Sequence, residues 1–149
     1  MQRMLSTFRH SIQVGLSFGL MSGAITTLGL IVGLAAGTQS RLAVIGGIVT
    51  IAIADALSDA LGIHVAEDAE NVHSEREIWA ATGATFVAML IVASSFLIPV
   101  LLFDLVTAVA VSVAWGITVV TLLSFQIART QGAKWCRWWP STSSLQLSL

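Results

Sequence analysis

Residues 42–65 read LAVIGGIVTIAIADALSDALGIHV, an apolar run whose only acidic residues are Asp55 and Asp59. At 1.5 Å of rise per residue, a helix of this length reaches about 36 Å, enough to cross a hydrocarbon core of ~30 Å. A carboxylate near the middle of a span costs ~2.5–3.5 kcal/mol on insertion scales, so two on one segment need a compensating environment. Spaced i, i+4, they share one helix face, and that face must look into protein or a wet cavity. The stretch therefore sets the fold as membrane-spanning helix and raises the question of what binds or passes beside the pair.

The rest of the chain agrees. Hydrophobic residues make up 56% and charged residues 10% of the 149 residues, against ~25% charge in soluble domains. Apolar segments at about 12–36, 42–65, 78–98 and 101–127 are each long enough to span. The expected fold class is all-α, a polytopic bundle of four transmembrane helices within residues 1–130. Arg3 and Arg9 precede the first run as in a signal peptide, but that run exceeds a signal sequence's apolar core and further spans follow. A retained helix is expected. The net charge of −1 offers no basic surface for nucleic acid. The single cysteine, Cys136, excludes an intrachain disulfide and a cysteine-based zinc site. No nucleophile elbow, phosphate-binding loop or H-E-x-x-H motif is present, so neither an enzyme nor a resident cofactor is expected.

Gly37 to Arg41 is expected to form a tight turn, and Pro99 to separate the third span from the fourth. With the N-terminus cytoplasmic, Arg3, Arg9, Arg76, Arg129, Lys134 and Arg137 lie inside and only Arg41 outside, as the positive-inside rule requires. In the first span Gly15, Gly19, Gly23, Gly29, Gly33 and Gly37 fall within a sector of roughly 120°, together with Ser22 and Thr26. Such a stripe predicts close helix packing, or a pathway lined by Ser22 and Thr26 beside the seam. Asp55, Ser58, Asp59 and Gly62 share a sector of the second span, and the two polar faces are expected to meet.

The connector HVAEDAENVHSEREIW, residues 64–79, gathers Glu67, Asp68, Glu70, Glu75 and Glu77 with His64 and His73. It suits either a solvated turn or an acidic approach for cations such as Mn²⁺ or Fe²⁺. His64 falls opposite the aspartates on the helix. Asp104 is expected to reach interfacial water. Ser94, Ser95, Thr107, Ser112 and Thr118 can bond to their own helix carbonyls. Trp79 fits an interfacial belt, and the deeper Trp115 is expected to pack.

The stretch GLMSGAITTLGLIVGLAAGTQSRLAVIGGI at 19–48, followed by ADALSDALGIHVAEDAE at 54–70, resembles the vacuolar iron transporter family. The Ile-Thr-Thr-Leu-Gly-Leu core at 25–30 with Gly33 carries the likeness, which covers most of residues 15–70; residues 78–127 match by hydropathy and order. The resemblance implies a homodimer of five-span subunits that exchanges ferrous iron or manganese for protons, with a two-fold seam near the first span. It also implies metal ligands on the first two spans. The family's first-span aspartate aligns with Ser22, its second-span methionine with Asp59, and its Glu-Tyr pair with Ile63-His64. Its long carboxylate-rich cytoplasmic helices shrink here to the connector of residues 66–77. Exchanging a thioether for carboxylates favours harder divalent cations.

The tail QGAKWCRWWPSTSSLQLSL replaces the family's fifth span. Tryptophan has one codon, so reading Trp135, Trp138 and Trp139 two nucleotides onward yields Val, Val and Ala. Permitted codons elsewhere give an apolar segment with a Glu-His-Leu entry. Residues 131–149 are thus expected to be an out-of-frame fifth helix, the alternative being a genuine aromatic-anchored tail. The resulting expectation is a divalent-cation transporter working by cation/proton exchange. Asp55, Asp59, Glu67, Asp68 and Glu70 are its candidate metal ligands. Ser22, Thr26 and Ser58 would join the two aspartates along the pathway. The alternative is a non-transporting membrane scaffold or degenerate transporter.

Overall fold

The computed structural model describes residues 2–70 and 74–130, and the side chains of 8–70 and 74–129. Among them lie five helices and no strand: α1 (Gln2–Thr38), α2 (Arg41–Glu70), α3 (Glu75–Ser95), α4 (Leu97–Leu102) and α5 (Leu105–Thr130). Four units are long and apolar enough to span a bilayer: Phe8–Thr38, Arg41–Glu70, Glu75–Leu102 and Leu105–Arg129, the third combining α3 and α4. The fold is the expected all-α polytopic bundle. The tail at 131–149, with its frame question, lies outside the described residues.

Helices α1, α2 and α3 pack against one another, and α5 rests on α1 and α4. The tightest seam joins α1 to α3. Along α1, Ser11, Gly15, Gly19, Gly23, Thr27 and Ile31 recur at steps of four and are all buried. A Cβ at Gly15 would lie 2.3 Å from the Ala81 carbonyl oxygen, and one at Gly19 would lie 2.4 Å from that of Thr85. Only glycine allows the backbones so close. Thr85 Oγ1 exploits the approach, donating to Gly15 O (3.1 Å) and to its own Ala81 O (2.9 Å).

The seam corrects two expectations. Its partner is the third span, and it uses only part of the glycine stripe, because Gly29, Gly33 and Gly37 have open space where a Cβ would stand. Contacts follow the i, i+4 ridge, which winds about 40° round the helix per step. By Ile31 the contact line has turned well away from the glycine sector, so Gly29 and Gly33 face outward.

The first turn is tighter than expected and is not built on glycine. Gly37 is still helical, and Gln39 takes the left-handed conformation at φ 50°. Gln39 N–H donates to Ala35 O (3.1 Å), and Ser40 Oγ accepts from Ala43 N–H (3.3 Å) to start α2. Arg41 then reaches across to the end of α4. Its Nε donates to Val100 O (2.7 Å) and its Nη2 to Leu101 O, satisfying carbonyls that the helix end leaves open.

At its far end α2 runs five residues past the expected boundary to Glu70. Hydropathy ends at Val65, but Ala66-Glu67-Asp68-Ala69-Glu70 holds no helix breaker and four strong helix formers. Ser74 precedes α3 as its N-cap, and its N–H and Oγ–H both donate to Glu77 Oε2 (2.9 Å each).

Pro99 does not divide the third and fourth spans; it sits inside α4. Proline offers no N–H to the carbonyl four residues back and its ring clashes with it. That carbonyl belongs to Ser95, the last residue of α3, so the break falls at Phe96. Trp115 of α5 pins the break by donating its Nε1–H to Ser95 Oγ (3.1 Å). The true turn is Phe103-Asp104. There Asp104 caps α5, its Oδ2 accepting from Thr107 N–H at 3.1 Å.

Candidate functional site

On α2 a packed stripe of Val44, Ile48, Ala52, Ala56 and Ala60 faces the bundle. Asp55 and Asp59 lie 60–100° to one side of it by helix geometry. They stand at the margin between packed protein and outer surface, and both are half-buried. Each has one carboxylate oxygen, Oδ2, enclosed and without a hydrogen-bond partner. By residue count Asp55 is about 21 Å and Asp59 about 27 Å along α2 from Arg41, in the half of the helix nearer Glu70. An open cavity of about 390 Å³ reaches Asp55, lined also by Leu30 of α1 and by Gly47, Thr50, Ile51 and Ala54 of α2.

The antiparallel register tells what lies opposite. A Cβ at Gly47 would meet Leu34 and Leu30, so Gly47 is level with residues 30–34 of α1. Eight residues on, Asp55 is level with 22–26, and Asp59 with 18–22. Ser22 and Thr26, both half-buried, therefore stand at the depth of the pair. Thr26 Oγ1 donates its proton to Ser22 O (2.8 Å), which leaves the hydroxyl oxygen's lone pairs to accept a proton or face a cation.

Other candidates are not drawn into this site. Ser58 and Gly62 are exposed, so only the aspartates of that sector turn inward. Glu67 is partly buried, while Asp68 and Glu70 are exposed on the last turns of α2. Among the described residues no three His, Cys, Asp or Glu side chains gather as a metal-holding group. Asp55 and Asp59 are thus one two-carboxylate element, and the acidic turns beyond them are a separate surface.

His64 lies on the other side of α2 from the aspartates, as its angular position implied, and the helix it meets there is α3. Its Nδ1 lies 3.1 Å from Thr82 Oγ1, and its ring packs on Trp79 at 4.7 Å between centroids. Thr82 spends its own proton on Ile78 O (2.8 Å), so Nδ1–H is the donor to Thr82 Oγ1. Trp115 lines an apolar crevice with Pro99 and Val111 beside the Phe96 break.

Several polar residues escaped sequence reasoning. Thr50, off the i, i+4 stripe, joins the Asp55 cavity. His10, Gln13, Ser17 and Gln126 line hollows between α1 and α5. The hydroxyls of Ser11, Thr27 and Ser112 are buried with no hydrogen-bond partner; Ser112 does not bond back to its helix as expected, whereas Thr118 does, to Ala114 O at 2.7 Å. A side chain's partner across a seam has no signature in its own span.

Fold and site together define a multi-pass α-helical membrane protein with a carboxylate pair set into one span. Comparisons with protein-family models, with curated proteins and with solved structures find no match.

Proposed function

We propose that the protein transports a divalent metal cation, of the iron or manganese kind, across the membrane in exchange for protons. One observation carries the proposal: Asp55 and Asp59, a turn apart within a span, each keep an enclosed oxygen with no protein partner. An unsatisfied buried carboxylate is costly, and in a membrane span such residues mark ion or proton pathways. Carboxylate oxygens with the hydroxyl and carbonyl oxygens of Ser22 and Thr26 form a hard donor set suited to Mn²⁺ or Fe²⁺. The same oxygens take up protons when the cation leaves, which is the chemistry exchange needs.

The cation is cargo. Glu67, Asp68 and Glu70 form a separate acidic surface on the last turns of α2 and would draw cations in from the cytoplasmic side, with the N-terminus inside. Two carboxylates make an incomplete cage, and a homodimer would complete it. The outward Gly29 and Gly33 face of α1 is the surface for a second copy. Uptake of Mn²⁺ into proteoliposomes against a proton gradient tests the reading. Asp55→Asn and Asp59→Asn should each abolish uptake, and flux equal to the parent's in both variants would reject it.

A further inference from the structure

The hollow beside Asp55 lies wholly to one side of the aspartate pair. Leu30 of α1 and Gly47, Thr50, Ile51, Ala54 and Asp55 of α2 enclose its 390 Å³. Gly47 to Asp55 is about 12 Å along the helix, so the α2 wall runs from Asp55 toward the Arg41 end and no residue beyond Asp55 joins it. Leu30 is level with the upper part of that wall, because the ends of Leu30 and Leu34 lie where a Cβ at Gly47 would stand. Asp55 is therefore the floor of the hollow, and Asp59, one turn further on, is not reached. Beyond the hollow, Gly33 of α1 and Gly46 of α2 are level with one another, and each has open space at its Cβ position. The trough between the two helices thus continues toward the Arg41 end with no side chain at either place.

The chemistry of the wall says what fills it. Asp55 is half-buried, and its enclosed Oδ2 has no hydrogen-bond partner. Thr50 is exposed and donates its Oγ1–H to Gly46 O (2.8 Å), so its lone pairs remain open to accept. Leu30, Ile51, Ala54 and Gly47 offer no polar side chain, and acyl chains offer no donor to either oxygen group. A carboxylate within a span faces protein or a wet cavity. At ~30 Å³ per water the hollow has room for a file of waters, with Thr50 on its wall and Asp55 at its floor as partners. A second copy on the Gly29 and Gly33 face, as proposed above, would roof the trough against lipid.

We propose that this hollow is a water-filled access route to Asp55 from the Arg41 end of the bundle, closed in this conformation toward the Glu70 end. Asp55 is then the carboxylate first reached from that side, and Asp59 lies behind it. The inference rests on the transport reading for what passes along the route; the route itself does not need it.

The test is thiol labelling of the full chain, on a Cys136→Ser background, in sealed vesicles exposed on one side to a charged, membrane-impermeant thiosulfonate. Gln39→Cys and Asp68→Cys, both exposed, mark the two ends. Thr50→Cys and Ala54→Cys should label from the Gln39 side. Ile53→Cys, 53% exposed at the same depth but outside the hollow, should label at least about ten-fold more slowly, because apolar surroundings suppress the thiolate. Leu30→Trp, which fills the hollow from α1, should slow labelling of Thr50→Cys about ten-fold as well, while circular dichroism confirms the helical fold. Labelling of Thr50→Cys no faster than that of Ile53→Cys would mean that lipid fills the hollow and overturns the proposal. So does labelling from the Asp68 side, or labelling unchanged by Leu30→Trp. None of these readouts needs a transported ion, so a parent protein without Mn²⁺ uptake would reject the transport reading and leave the access route standing.

Discussion

Gly19→Ala inserts one methyl group at the closest approach of α1 and α3. The added carbon would stand 2.4 Å from the Thr85 carbonyl oxygen, where ordinary contact begins at 3.4 Å. Backbone cannot swing aside as a side-chain end can, so the two helices must part by about 1 Å. Overpacking of this kind costs roughly 1–3 kcal/mol. Alanine also favours helix over glycine by about 0.8–1 kcal/mol, which would mask part of the loss. Gly83→Ala supplies the correction, because Gly83 lies in the same bundle on α3 with open space at its Cβ position. The propensity gain cancels between the two variants, and the collision remains as a gap of about 1–3 kcal/mol. Unfolding in mixed micelles, followed by circular dichroism as denaturing detergent is raised, measures that gap. Equal stability of the two variants would refute the seam.

Three further outcomes follow from the helix ends. Arg41→Gln should destabilise the bundle by about 1 kcal/mol, since it removes charge-assisted bonds to Val100 O and Leu101 O at an exposed site; Arg41→Lys should recover only part, for want of a forked donor. The hydrogen bonds from Thr107 hold Asp104 below the usual carboxylate value of 3.8. Its cap is thus fully present above that value and is lost as pH falls through the lower folded one. Hydrogen exchange at the Thr107 amide should accelerate across that acid range relative to its neighbours, and Asp104→Asn should remove the pH dependence. Pro99→Ala restores a donor for the Ser95 carbonyl, so the new amide at 99 should exchange as slowly as those within α3; rapid exchange there would mean that proline does not cause the break.

Much of this architecture was legible because hydropathy and small-residue spacing are local. The four spans follow from the length of the apolar runs, and the close packing of Gly15, Gly19 and Gly23 and the opposed faces of His64 and Asp55 follow from 100° per residue. The partner of the glycine seam was not legible, since angular position names a face but not the helix that covers it. Pro99 was visible, but its effect falls four residues upstream at Ser95, where its ring meets the chain. Span ends taken from hydropathy stop at Val65, whereas the α-helix ends where its hydrogen-bonding pattern does, at Glu70. Two end signals were readable and passed over: Ser74-x-x-Glu77 at the start of α3 and Asp104-x-x-Thr107 at the start of α5. At the candidate site, the aspartates and the level of Ser22 and Thr26 were accessible from spacing. The exposure of Ser58 was not, because it depends on where the packed alanine stripe meets its neighbours.

The proposal that Asp55 and Asp59 hold a divalent cation is tested by anomalous scattering from crystals of the full chain grown with Mn²⁺. A manganese peak is expected about 2.2 Å from a carboxylate oxygen of Asp59 or Asp55, lost in the Asp55→Asn, Asp59→Asn double variant. Manganese bound only at Glu67, Asp68 and Glu70, or a peak at the pair that survives the double substitution, would contradict it.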